Sequence, residues 1–232
     1  TPFRSASREW LRFLPLTYLA LALAYLVGNG KAYYLASLYP ALLGLGALPV
    51  ADWAARRRLN RGVLTAAVAL SIAVSCYIAL PLLPERSLQG SAAIKLNPDL
   101  GESVGWPRFL DTVARAWRSI PPSIRNDTAI FAKNYGEAGA IDVLGQRRAL
   151  PSAFSGHNGF SEWQRPAKRD THALLIGFDG PTDAAPQFDR CRRLAIVDNG
   201  VGLANNEQGL PVLLCHPTAS WNALWPSLTH YD

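Results

Sequence analysis

Three groups of residues have the types and spacing to do chemistry. Lys31 sits in the turn Gly28-Asn29-Gly30-Lys31 and is followed by Tyr33, Tyr34 and Tyr39. A lysine in a glycine turn beside aromatic rings can hold a phosphate group. A snorkelling lysine with tyrosines at headgroup depth is, equally, an interfacial anchor, and both readings stand. The second group is Asn134, Tyr135 and Glu137, and the third is His157 and Asn158. A carboxylate, a histidine and amides gathered on one rim can bind the hydroxyls of a sugar or of an acceptor molecule. Asp179, Asp198 and Asn199 are polar too, but Asn, Asp and Gly are what turns are made of, and turn formation is the better reading for them. Glu137 and His157 are not typical turn formers, so for these two a binding role stands beside the structural one.

Other chemistries fit poorly. Gly136-Glu137-Ala138-Gly139 has neither the three-glycine spacing nor the downstream acid of a dinucleotide site. Ser155 and His157 lie two apart without a nucleophile-elbow pattern, which leaves a hydrolase triad unsupported. The four histidines are scattered singly and the three cysteines form no paired motif, so no metal ligand is assigned.

The elements that must position these groups fall into two halves. Three uncharged runs, 13–30, 32–51 and 62–83, are each read as a transmembrane helix, because roughly 20 apolar residues cross about 30 Å of hydrocarbon. After Pro84 the composition becomes that of a globular domain, expected over residues 85–232. There Phe109, Leu110, Val113, Ala114 and Trp117 recur at helical spacing within Trp106 to Ile120, and Pro121-Pro122 stops that helix. Strands are expected at Thr128 to Ala132, Ser152 to Phe154, His172 to Phe178, Leu194 to Val197 and Pro211 to Cys215. Helices are expected at Gly136 to Leu144, Asp183 to Arg190 and Ser220 to Leu228. Strands alternating with helices imply an α/β domain with a mainly parallel sheet and an edge strand of undecided direction. In such sheets polar loops collect at the carboxyl ends of the strands, where the second and third groups fall.

Charge supplies an orientation. The net charge is +6, yet from Glu85 onward 15 basic residues balance 15 acidic ones; the excess lies beside the apolar runs, with 8 basic and 2 acidic residues. That is a topology signal and not a polyanion site, so nucleic acid is not expected as a partner. Arg4, Arg8 and Arg12 precede the first run, and Arg56, Arg57, Arg58 and Arg61 fall between the second and third. The N-terminus is therefore expected in the cytoplasm, and the Lys31 turn and the C-terminal domain outside it, in a multi-pass cell-membrane protein. An outer compartment permits disulfides, and Cys191 and Cys215 adjoin neighbouring expected strands, so a bridge between them is expected. Cys76 is read as inert packing. With no methionine, even at position 1, the chain reads as the C-terminal piece of a longer membrane protein.

Gly30-Lys31-Ala32-Tyr33-Tyr34-Leu35-Ala36-Ser37-Leu38-Tyr39-Pro40 resembles the outward-facing hairpin of glycosyltransferase family 39, which includes bacterial relatives of dolichyl-phosphate-mannose protein mannosyltransferases and of the lipid A aminoarabinose transferase. Asn134 to Ala140, Ser155 to Asn158, Asp198 to Gly202 and Asn206 to Gly209 look like the extracytoplasmic domain of the family's bacterial branch. The resemblance implies a polytopic enzyme that takes a sugar from a polyprenyl-phosphate donor and passes it to an acceptor at the outer membrane face. It places Lys31, with Tyr33 and Tyr34, near the donor phosphate and membrane lipid. In that family the catalytic acids lie in an early outer loop that is not in this sequence. The catalytic base, and any divalent metal, are therefore left to a missing N-terminal membrane part with which this chain would pack, and the chain alone is expected to be inactive. The competing expectation is a non-catalytic, membrane-tethered module for binding or assembly.

Overall fold

The structure, a computed structural model, describes residues 13–28, 30 and 32–231. It divides into two compact units, Thr1–Val74 and Ser75–Asp232. Lys31 lies outside the described residues.

The first unit is helical. Helix α1 (Phe13–Val27) is followed by a 3-10 segment (Ala32–Leu38), α2 (Tyr39–Arg56) and α3 (Arg58–Ala79), whose last turn enters the second unit. Tyr33–Arg56 and α3 are long and apolar enough to cross a membrane, and almost none of either is buried by the described residues. A core helix of a soluble protein would be mostly covered by its own chain, and among the described residues these two are not. At about 1.5 Å per residue α1 is only ~22 Å long, short of the ~30 Å of a bilayer core. Among the described residues, two helices are thus long enough to span a bilayer and one shorter apolar helix precedes them. The expected Arg-rich loop between the second and third runs also shrinks. Arg57, extended at φ −145°, is the one residue between α2 and α3. Arginine is a good helix former, so Arg58 and Arg61 join the first turns of α3, although their charge ends the apolar run.

The second unit opens with short helices α4 (Ala92–Leu96) and α5 (Asp99–Glu102), then α6 (Trp106–Ser119) and α7 (Pro122–Arg125). The alternating part follows: β1 (Thr128–Ala132), α8 (Tyr135–Leu144), β2 (Ala153–Phe154), β3 (His172–Ile176), α9 (Pro181–Ala184), β4 (Phe188–Ile196), β5 (Pro211–Pro217) and α10 (Trp221–Leu228). The sheet order is β2-β1-β3-β5-β4. β1 pairs in parallel with β2 and β3, while β5 pairs antiparallel with both β3 and β4.

The sheet is therefore mixed and not mainly parallel. The antiparallel strand, β5, lies inside the sheet, and β4 forms the edge. Residues 197–210 between β4 and β5 contain no helix, and a parallel neighbour needs a crossover that is usually helical. The chain accordingly turns back on itself. The expected helix from Asp183 to Arg190 is a single turn, α9, and β4 takes over from Phe188. Its pattern was hidden by exposed Arg190, Arg192 and Arg193 and by register shifts that interrupt the two-residue period.

Alternation along the buried strands builds a core on each face. Ile130, Leu174 and Leu214 pack with Phe109, Leu110 and Val113 of α6 and Ala138 and Ile141 of α8. Phe131, Leu175 and Leu213 point the other way, onto Phe178, Phe188 and the α10 residues Trp221 and Trp225. A smaller cluster of Leu88, Val104 and Leu203 seats the 198–206 loop on the segment before α6. Cys191 and Cys215 are joined in a disulfide between β4 and β5.

Candidate functional site

Although β5 is reversed, β1, β2, β3 and β4 all run in one direction, so their carboxyl ends share a rim. An open cleft of about 290 Å³ lies on that rim. Lys133, Asn134 and Glu137 reach it from the β1–α8 junction, Gly177 and Asp179 from the exit of β3, and Asn206 and Glu207 from the loop before β5. His157, after β2, Leu210, just before β5, and His230, after α10, complete it.

The β1–α8 junction is fixed by a reciprocal cap. The Asn134 side chain accepts from the Gly136 N–H at 2.7 Å, and Glu137 Oε2 accepts from the Asn134 N–H at 3.2 Å. Two otherwise unsatisfied groups at the helix start are thereby met. This cap also draws the Glu137 carboxyl inward until the residue is only 4% exposed. Gly177, at φ +82°, lets the backbone pass against that carboxylate, where a Cβ would overlap both oxygens. Burial pushes the Glu137 carboxyl up to about 7, against the lowering effect of the Asn134 N–H, and the charge of Glu207 raises it further. Glu207 is itself pushed up to about 6 by burial and by the nearby charge of Glu102.

Lys133 binds both oxygens of Asp183, at 2.8 and 3.1 Å, and the Asp179 N–H donates to the same carboxylate at 3.1 Å. The charge of this lysine is thus already engaged. His157 is buried and its ring stacks on that of His230, with centroids 4.6 Å apart. Backbone bonds hold this contact: the Asn158 N–H donates to the His230 carbonyl at 2.8 Å, and the His230 N–H to that of Gly156 at 3.0 Å. Tyr135 lies against the His157 ring at 4.8 Å and is half exposed.

Of the residues expected on the rim, Asn134, Glu137, His157 and Asp179 line the cleft. Tyr135 and Asn158 support it through His157 and His230. Asp198 and Asn199 build the neighbouring loop instead. Asp198 Oδ1 accepts from the Gly200 N–H at 2.9 Å, and Asn199 Oδ1 accepts from the Val201 and Leu203 N–H groups. Sequence reasoning did not single out Lys133, Asn206, Glu207 or His230. Glu207 had a signal as the acidic member of a quoted motif, whereas His230 had none, because only the backbone bridge to His157 carries it to the rim.

In the first unit, Tyr33 and Tyr34 meet edge to face at 5.0 Å, and Tyr34 meets Tyr25 of α1 at 5.4 Å. The Gly30 N–H donates to the Tyr25 carbonyl at 2.7 Å, and a side chain at Gly30 would press on the Tyr25 ring. The lack of a side chain at Gly30 thus leaves room for the Tyr25 ring that meets Tyr34. Among the described residues no group of three or more His, Cys, Asp or Glu side chains can hold a metal ion.

Comparison with protein-family models, with curated proteins and with solved structures finds no match to this chain. The class that fold and site define is therefore an α/β domain with a polar rim cleft, preceded by long apolar helices.

Proposed function

We propose that this chain is the C-terminal part of a polytopic membrane glycosyltransferase. In this reading it serves transfer of a sugar from a polyprenyl-phosphate donor to an acceptor at the outer membrane face. The observation that carries the proposal is convergence. Three of the motifs that resemble glycosyltransferase family 39, around Asn134 to Ala140, Ser155 to Asn158 and Asn206 to Gly209, are far apart in sequence yet meet at one cleft. Two further features support the reading. The apolar helices suit a bilayer, and the Cys191–Cys215 disulfide suits an oxidising outer compartment.

In this proposal the N-terminus is cytoplasmic and the second unit extracytoplasmic. Lys31, with Tyr33 and Tyr34, contacts the donor phosphate, and the rim cleft contacts sugar or acceptor. The catalytic base, and any divalent metal, belong to another part of the membrane protein, and none of the residues here is assigned to catalysis. The test uses membranes containing the full-length protein and a labelled polyprenyl-phosphate sugar, comparing wild type with Lys31→Ala at equal expression. Transfer that falls steeply in the variant supports both the enzyme and the phosphate contact. Equal transfer in both would reduce Lys31 to an interfacial anchor, and no transfer from any donor would favour a non-catalytic binding module.

A further inference from the structure

The rim cleft narrows the chemistry of what it takes. Lys133 is the only lysine or arginine that lines it among the described residues, and its charge is held by Asp183 at 2.8 Å. An incoming phosphate or carboxylate would instead face Glu137, Asp179 and Glu207, and like charges close together repel. What the cleft does offer is a mixture. Carboxyl groups accept, the Asn134 and Asn206 amides both donate and accept, and the two imidazoles can do either. Beside these polar groups stand the His157 and His230 rings, stacked 4.6 Å apart, and the Leu210 side chain, while Tyr135 packs at a tilt against His157 outside the cleft lining. The site is also built and not merely superficial, since Glu137 and His157 are about 4% and 5% exposed.

One ligand class answers both halves of that surface. A neutral sugar ring carries hydroxyls, each a donor and an acceptor, around an apolar C–H face that lies on aromatic rings. A volume of about 290 Å³ is at the small end of ligand pockets, enough for one ring at a time, and the open side lets a chain continue outward.

We propose that the carboxyl-rim cleft binds the acceptor, and that this acceptor is a neutral saccharide end rather than a phosphorylated lipid headgroup. The inference rests on the transferase reading for the word acceptor, and on the cleft alone for the ligand class.

The experiment uses the full chain in nanodiscs and measures binding by saturation-transfer NMR. The probes are a neutral hexose trisaccharide, the same trisaccharide carrying a phosphate, and a lysine-rich peptide. The neutral trisaccharide is expected to bind, with affinity falling about tenfold or more in Asp179→Asn combined with Asn206→Ala, since a hydrogen bond to the Asp179 carboxylate is worth roughly that factor and one to the neutral Asn206 amide a few-fold more. Both positions are exposed, so the fold tolerates the changes, and Arg192→Ala on the edge strand β4 is the control that should bind as wild type. Tighter binding of the phosphorylated probe or of the peptide overturns the inference, as does neutral binding that the cleft variants leave unchanged. The failures of the two readings are separable. Transfer onto a protein or anionic lipid with no saccharide binding refutes the neutral acceptor and leaves the transferase, whereas saccharide binding without any transfer supports the cleft and refutes the transferase.

Discussion

Replacing Glu137 by glutamine tests whether the cleft carboxyl is governed by burial. The side chain is 4% exposed and its carboxyl is raised from 4.5 to about 7, chiefly because burial disfavours the charged form. Each unit is worth about 1.4 kcal/mol, so the whole difference between folded and unfolded chains is about 3 kcal/mol. The sign follows from which state holds the proton. Above pH 4.5 the unfolded chain releases it while the fold retains it, so the stability this group supplies is full below pH 4.5 and is lost as pH rises through about 7. Glutamine keeps the shape, still accepts from the Asn134 N–H through its carbonyl, and never ionises. Urea unfolding of the full chain in detergent micelles, followed by the fluorescence of buried Trp221 and Trp225, should be run across this range. Wild type should lose about 3 kcal/mol relative to Glu137→Gln between pH ~4.5 and ~8. Glu207 titrates in both proteins, so the difference between the curves reports Glu137 together with its coupling to Glu207. Parallel curves would refute the reasoning.

Three further outcomes are expected. Gly177→Ala should destabilise the second unit by roughly 2–4 kcal/mol in the same urea assay, because φ is +82° and the new Cβ meets the Glu137 carboxylate. Asn134→Ala should cost about 1 kcal/mol through loss of the α8 cap, and Asn134→Ser should restore most of it. Thiol counting on denatured, unreduced protein should find one thiol, Cys76, rising to three on reduction. The double change Cys191→Ser with Cys215→Ala should cost about 3 kcal/mol, given a sequence separation of 24.

The legibility of the fold followed the strength of local signals. β1 reads directly from Thr128 to Ala132 because Thr128, Ile130 and Phe131 are β-formers and the run is bounded by an Asn-Asp turn and by Lys133-Asn134. Helix α6 was legible because its apolar residues face one core at helical spacing. Strand β4 was half hidden, since an edge strand keeps one backbone side in solvent and tolerates Arg190, Arg192 and Arg193 where an inner strand would not. The reversal of β5 is set by the helix-free loop at 197–210, a cue present in the sequence but weaker than the alternation around it.

The site was legible in part for similar reasons. Asn134, Glu137 and His157 follow strands, so the rim rule finds them. His230 arrives through a backbone bridge made after α10, and Lys133 is turned aside by Asp183, fifty positions away in sequence. Contacts of that range leave no local pattern. Nor did sequence show that Glu137 serves as a helix cap as well as a cleft wall.

The most direct measurement is sugar transfer by membranes carrying the full-length protein, with donor and acceptor concentrations varied separately for wild type and Asn206→Ala. The expected result is transfer from a polyprenyl-phosphate sugar by wild type, with the acceptor KM raised about two- to tenfold in the variant and the donor KM unchanged. Absence of transfer from every such donor, or an acceptor KM indifferent to Asn206, would contradict an outer-face transferase that works through this cleft.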